Sequence, residues 1–224
     1  MPRPHEDLER HTLTDHRPGG QIVPLRPDTW WAIEVAHVAA ERAGAGVATY
    51  ETLIEKARAS AAKVHEAVVL RSHNNRRVIA MLHVDGHEAY RHIASAWDDH
   101  HLSAERHAVA ESRSLALYRL TATDGEAAID PDSKDGCAFE HLLLAVERVL
   151  PVATALVAAP GFRGASIFGT DDGSASAIVY RFTNIEAIQA FRATPEAQRI
   201  LGPTGGTGET FYPVHPVRTF SVSS

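Results

Sequence analysis

Val78–Ala94, VIAMLHVDGHEAYRHIA, sets the architecture of the whole chain. It reads as a strand that turns straight into a helix. The pattern returns near the other end as Ala177–Arg192, AIVYRFTNIEAIQAFR. Glu88-Ala89 falls on Glu186-Ala187, 98 positions later. At the same offset and without a gap, Leu70 falls on Phe168 and Ser114–Leu120 falls on Tyr212–Arg218. The chain therefore reads as two copies of one unit, and an internal repeat has to be settled before any single element is assigned.

Working outward from that stretch gives the rest of each copy. Trp30–Ala40, WWAIEVAHVAA, alternates Ile33, Val35, His37 and Ala39 against Ala32, Glu34, Ala36 and Val38, which is a strand. Val47–Val64 carries Tyr50, Leu53, Ile54, Ala57 and Ala61 at helical spacing. Glu66–Ser72 and Arg76–Val84 are β-rich runs around His73-Asn74-Asn75. Asn tolerates positive φ, so this predicts a hairpin. A helix over Gly86–Ala108 and a strand over Ser112–Thr121 complete the first copy.

The second copy is expected to start with a strand, Ala138–Leu150, and a short helix, Pro151–Ala159. A hairpin follows, Arg163–Thr170 and Ser174–Phe182 around Asp171-Asp172-Gly173. A helix over Asn184–Leu201 and a strand over Thr210–Val222 finish it. The order β-α-β-β-α-β, written twice, is the ferredoxin-like unit. The expected fold class is α+β: two ferredoxin-like βαββαβ repeats packing sheet to sheet as an intrachain α+β barrel. A four-stranded sheet with helices on one face must bury its other face, and a second sheet does that. The domains are then 1–29, a flexible Pro-rich tail; 30–121, the first repeat; 122–137, an acidic linker; and 138–224, the second repeat.

Composition bounds the function. With 224 residues, 44% apolar and 22% charged, the chain is an ordinary globular protein. A net charge of −6 and no basic cluster argue against a nucleic-acid partner. The single cysteine, Cys137, excludes an internal disulfide framework and reads as a small apolar filler. No apolar run has the roughly 20 residues a membrane span needs, and the N-terminus has no secretory apolar segment. No membrane partner is therefore expected, and a cytoplasmic location is. The glycine-rich loop Gly202–Gly208 lacks a Gly-Lys-Ser/Thr ending and precedes a strand, so it is no phosphate cradle. The 14 histidines direct the search for chemistry.

Pro160-Gly161-Phe162, the short hairpin after it, and YRFTNIEAIQAFRATPEAQ resemble the antibiotic-biosynthesis-monooxygenase group of the dimeric α+β barrel superfamily. The resemblance covers about residues 30–222; the first half keeps the layout but lacks the Pro-Gly-Phe. It implies a barrel, closed here within one chain, with a further homodimer compatible but not required. It also implies a pocket between the helices and the sheet. Relatives include cofactor-independent oxygenases, haem-degrading enzymes, cyclases and small lyases. The fold alone does not choose among them.

The two copies differ in an informative place. Pro195-Glu196-Ala197-Gln198-Arg199 in the second stands where the first has Trp97-Asp98-Asp99-His100-His101. On a helical wheel Tyr90, Ile93, Trp97, His101 and Ala104 share one stripe, with His100 at its edge. The expected site is therefore in the first copy. Its base or oxyanion donor is His101, and Trp97, Tyr90 and Ile93 contact the substrate. A structural histidine at a helix end is the plainer alternative. His37 and His83, each alternating with apolar neighbours on a strand, are further catalytic candidates. Arg181 stands at the repeat position of His83, with Tyr180 beside it as a substrate contact of a second or vestigial site. His83 and His87 have helical metal spacing but sit on different elements, so no metal site is expected.

The leading expectation is a monooxygenase without cofactor, acting on an aromatic or polyketide-like small molecule in secondary metabolism. One alternative, implied by the haem-degrading relatives, is a haem enzyme with His101 or His100 as axial ligand. Another is a non-redox cyclase or lyase, or a ligand-binding protein.

Overall fold

In Trp30–Val38 (β1), Ala32 and Ala36 pack into one apolar cluster while Ile33 and Val35 pack into another. This period of two puts helices on one side of the strand and a second sheet on the other. The computed structural model describes residues 29–59, 64–98, 106–125, 136–201 and 210–213. The expected tail (1–28 of it), the linker core 126–135, the glycine-rich loop 202–208, and His100, His101, Ala104 and His215 lie outside them.

After β1, a 3-10 turn at Ala40–Arg42 leads into Ala43–Ala59 (α1). Val64–Ser72 (β2), Arg77–Val84 (β3), His87–Trp97 (α2) and Ala110–Gly125 (β4) follow. The second half holds Gly136–Leu142 (β5), Val146–Ala158 (α3), Phe162–Gly169 (β6) and Ser176–Phe182 (β7). Ile185–Arg192 (α4), Pro195–Leu201 (α5) and Thr210–Pro213 (β8) complete it. The fold is α+β and ferredoxin-like, with antiparallel strands and helices against their outer face. The strands pair in the order β1-β3-β2-β8-β5-β7-β6-β4, and β4 returns to β1 as a closed barrel. Within each half the order is β4-β1-β3-β2 or β8-β5-β7-β6; β2 with β8 and β4 with β6 join the halves.

Three cores result. One lies between α1, α2 and the outer face of the first-half strands, with Tyr50, Leu53, Ile93 and Trp97 at its centre. A second lies under α3, α4 and α5, around Val149, Leu156, Tyr180, Phe182 and Phe191. The third fills the barrel with Ile33, Leu70, Ile79, Met81, Phe139, Phe168 and Val179. Cys137 is buried there, and burial pushes its thiol up to about 12.

The hairpins follow their turn chemistry. Asn75 has φ 60°, and Ser72 Oγ and Asn74 Oδ1 accept from the turn's backbone N–H groups. Gly173 has φ 66° beside Asp172, whose carboxylate accepts from Thr170 Oγ1 and from both Ser174 N and Oγ. Those hydrogen bonds hold Asp172 down at about 2. Gly161 takes φ 81° between α3 and β6. A Cβ there would meet Thr183 Oγ1 at 2.8 Å, so the turn needs glycine.

Several expected boundaries move. The first strand of the second half ends at Leu142, not Leu150, and α3 begins at Val146 with Pro151 inside it. Val146, Val149, Val152, Ala153 and Leu156 are buried at helical spacing, and that burial outweighs the one backbone bond Pro151 cannot donate. β4 runs on to Gly125 and β5 starts at Gly136, so both ends of the expected linker are strand. The expected helix over Gly86–Ala108 ends at Trp97 with Asp98 as its C-cap, and a helical turn at 106–109 precedes β4.

Candidate functional site

Glu34 lies mid-way along β1, on the helix-facing side between Ala32 and Ala36, fully buried. A lone carboxylate there would be prohibitively costly, so it must be paired. Its Oε1 accepts from Tyr50 Oη of α1 at 2.7 Å, and its Oε2 accepts from Arg106 Nη2 at 2.6 Å. Arg106 is itself buried, and its Nη1 donates to Trp97 O at 2.7 Å. That bond satisfies a carbonyl that the end of α2 would otherwise leave open. The Arg106 guanidinium lies over the Trp97 ring, 5.4 Å from its centroid. Trp97 Nε1 donates to Leu53 O at 3.3 Å, and Tyr50 packs on the indole edge-on. One polar atom of this cluster is left over: Arg106 Nε is buried and has no acceptor among the described residues.

On the β4 side the cluster is bordered by half-buried side chains. Tyr90, Leu115 and Leu117 pack on it while only partly buried, and Arg113 Nε stands 3.9 Å from Glu34 Oε1. Tyr90 Oη donates to Leu115 O at 3.4 Å. Burial, then the nearby Asp98 and Glu34 charges, raise the Tyr90 phenol, so it is a proton-bearing donor at neutral pH. Tyr50 is raised further, by burial first and then by Glu34.

The second half repeats the theme with other parts. Glu140 on β5 pairs across to Ile178, as Glu34 on β1 pairs across to Ala80. Its Oε1 accepts from Tyr180 Oη of β7 at 3.0 Å and from Arg192 Nη2 of α4. Here Arg192 Nε donates to Tyr180 Oη at 2.9 Å. Both nitrogens are used.

The expected site residues separate accordingly. Trp97 and Ile93 are fully buried, and the Trp97 ring is covered by Tyr50 and Arg106, so it holds the core rather than presenting a face to a substrate. Tyr90 is half-buried at the edge of the Glu34 cluster, and Tyr180 is enclosed in the Glu140 cluster. His83 and His37 lie on the barrel face of the sheet, in phase with Ile33, Val35 and Met81, and not on the helix face with Trp97. His83 stacks with Trp31, and His37 pairs across to Arg77. His100 and His101 fall outside the described residues. The helical spacing used to set His101 beside Trp97 stops at Trp97 itself. Among the described residues, no group of three or more His, Cys, Asp or Glu could hold a metal ion. No helix among them is long and apolar enough to cross a membrane.

Glu34, Tyr50 and Arg106 were not singled out from the sequence. A signal existed: a glutamate in phase with two alanines inside a strand of otherwise apolar residues, WWAIEVAHV, and again in GCAFEHL. A charge on a buried strand face demands a partner.

No family model matches the chain, and no curated protein does. Solved structures do. An anthrone oxidase-like protein has a TM-score of 0.67 at 13% identity, over 91% of this chain and 100% of that one. A candidate monooxygenase from Fusobacterium nucleatum subsp. nucleatum scores 0.51 at 7% identity, over 89% and 99%. A ferredoxin-fold protein related to antibiotic biosynthesis monooxygenases, from Listeria monocytogenes, scores 0.47 at 11% identity, over 85% and 97%. The likeness is one of fold.

Proposed function

We propose that this is a small-molecule tailoring enzyme of secondary metabolism. It is an oxidoreductase of monooxygenase type, and its electron-rich aromatic or polyketide-like substrate sits between α2 and the outer face of β1 and β4. The observation that carries the reading is the spare buried N–H of Arg106. A fixed cation with an unused donor, beside a protonated Tyr90 and an apolar wall of Leu115 and Leu117, suits a flat phenolic ring whose oxygen gains negative charge. The anthrone oxidase-like fold supports the same chemistry. The internal likeness of the two halves, down to Glu34 and Glu140 at matching strand positions, supports a tandem duplication in which the first half carries the site.

The reaction is oxidation of an activated methylene: R₂CH₂ + O₂ → R₂C=O + H₂O. Loss of one proton to solvent gives an enolate or phenolate, whose oxygen accepts from Arg106 Nε. The anion gives two electrons to O₂ and forms a C–O bond. The resulting peroxide anion takes back the proton, and the hydroperoxide loses the remaining C–H and its terminal O–H as water, leaving the ketone. The substrate anion is the reductant and O₂ the oxidant, so the balance needs no further cofactor. Glu34 is no base here, since Tyr50 and Arg106 occupy both its oxygens. Its role is to hold Arg106 in place.

Oxygen uptake by the purified full chain with anthrone, with and without a chelator, tests this. Stoichiometric uptake that survives chelation is expected, with anthraquinone as product. His101→Ala measures the base role expected from the sequence. No uptake with anthrone or other phenolic methylenes contradicts the reading, and so does a haem-dependent Soret band that His101→Ala abolishes.

A further inference from the structure

One row of side chains on the barrel face takes no part in the site above. His83 on β3 neighbours Trp31 on β1, which neighbours Tyr118 on β4. Phe168 on β6 neighbours Ala177 on β7, which neighbours His141 on β5. Ring contacts tie these strands together. Trp31 lies 5.2 Å from His83 at 16° and 5.9 Å from Phe168 at 74°. Tyr118 lies 6.3 Å from His141, edge to face. Five strands of the barrel thus contribute to one aromatic and imidazole row, with Ala177 of β7 between Phe168 and His141. His65 extends it, 4.9 Å from His83.

The polar groups of the row are donors. Trp31 Nε1 is buried without an acceptor among the described residues. Such an orphan is costly to bury, and an incoming acceptor recovers that cost. Burial pushes the Tyr118 phenol up to about 12, so it keeps its proton. His141 is lowered, by burial first and then by the Arg77 charge, and a neutral imidazole still offers one N–H. The carboxylates nearby are engaged elsewhere: Asp85 with His65, Asp171 with His87 at 2.7 Å, and Asp172 within its own hairpin. Trp31, His83 and His141 are only partly buried, so the row is reached from solvent.

We propose that this row is a second binding site, on the opposite face of the sheet from Arg106, for a flat aromatic molecule carrying an oxygen acceptor such as a carboxylate or quinone carbonyl. The ring packs against the half-buried Trp31, His83 and His141, and the oxygen accepts from Trp31 Nε1. The site stands whether or not the oxidation proposed above is correct.

The test is a titration of the ¹⁵N-labelled full chain with 2-naphthoate, followed at the indole N–H resonances of its three tryptophans. The resonance that vanishes in Trp31→Phe is expected to move downfield and saturate, while acetate at equal concentration leaves it in place. His141→Gln should weaken binding about tenfold, and Arg106→Lys should leave it unchanged. If Trp31→Phe fails to fold, spectra of Trp30→Phe and Trp97→Phe assign the resonance by elimination. An unmoved Trp31 resonance, an equal response to acetate, or saturation at Trp30 or Trp97 instead overturns the proposal.

Discussion

Glu34 in the first half and Glu140 in the second face matching points on their neighbouring strands, yet each is neutralised by different parts of the chain. Glu34 divides its oxygens between Tyr50 of α1 and Arg106 from beyond α2. Glu140 gathers Tyr180 of β7 and Arg192 of α4 on one oxygen. In the second cluster the arginine Nε is spent on the tyrosine; in the first it is left over. Two clusters of the same residue types thus differ in one donor: the arginine Nε is bonded in the second and without an acceptor among the described residues in the first.

The largest way to break the comparison is to remove the arginines. Arg106→Met leaves a fully buried Glu34 with Tyr50 as its remaining close partner. Breaking such a pair costs about 3–5 kcal/mol. Thermal unfolding should fall by roughly 6–20 °C, at about 2–4 °C per kcal/mol for a chain of this size. Arg192→Met should cost less, about 1–3 kcal/mol, because Arg192 retains 12% side-chain exposure and water can reach the gap it leaves. Equal losses would mean that the two clusters are equivalent supports.

Removing the tyrosine hydroxyls is a gentler probe. Tyr50→Phe leaves Glu34 Oε1 without its 2.7 Å donor, at about 1–3 kcal/mol by chemical denaturation. Tyr180→Phe removes a donor to Glu140 and also the acceptor of Arg192 Nε. The second-half variant thereby loses an acceptor for the arginine Nε, as the first cluster lacks one for Arg106 Nε among the described residues.

The smallest effect is one of pH. His141 titrates below its ordinary value in the folded chain, through burial and then Arg77. Between that lowered value and about 6.5, the unfolded chain binds the proton and the folded chain does not. Stability should therefore hold above about pH 6.5 and decline as pH falls through this window. Melting curves of His141→Gln should lack that part of the decline.

The fold was largely legible because its signals are local. Period-two alternation, Asn75 and Gly173 in turns, and the Asn184 cap on Ala187 N each act within a few residues. The strand-to-helix boundary after Leu142 was not. Leu143, Leu144 and Ala145 continue an apolar run across it, and only the structure shows Leu143 exposed. The site was less legible than the fold. Histidines drew attention by their number, but His37 and His83 face the barrel rather than the helices. Arg106 sits in Glu105-Arg106-His107, which reads as a solvated helix surface. What buries it is Glu34, 72 positions away. Such a pairing has no periodicity to betray it, apart from the unexplained charge in the strand.

In the proposed reaction the unpaired donor of Arg106 marks the reacting half of the molecule. The most direct measurement is anthrone-dependent oxygen uptake by Arg106→Lys and Arg192→Lys, each shown to be folded at the assay temperature. Lysine keeps the charge but loses the planar set of donors. Arg106→Lys should lower kcat about 10²–10³-fold, the usual cost of one oxyanion donor, with Arg192→Lys within about twofold of the parent. Equal activity in the two variants, or a loss confined to Arg192→Lys, would contradict the account.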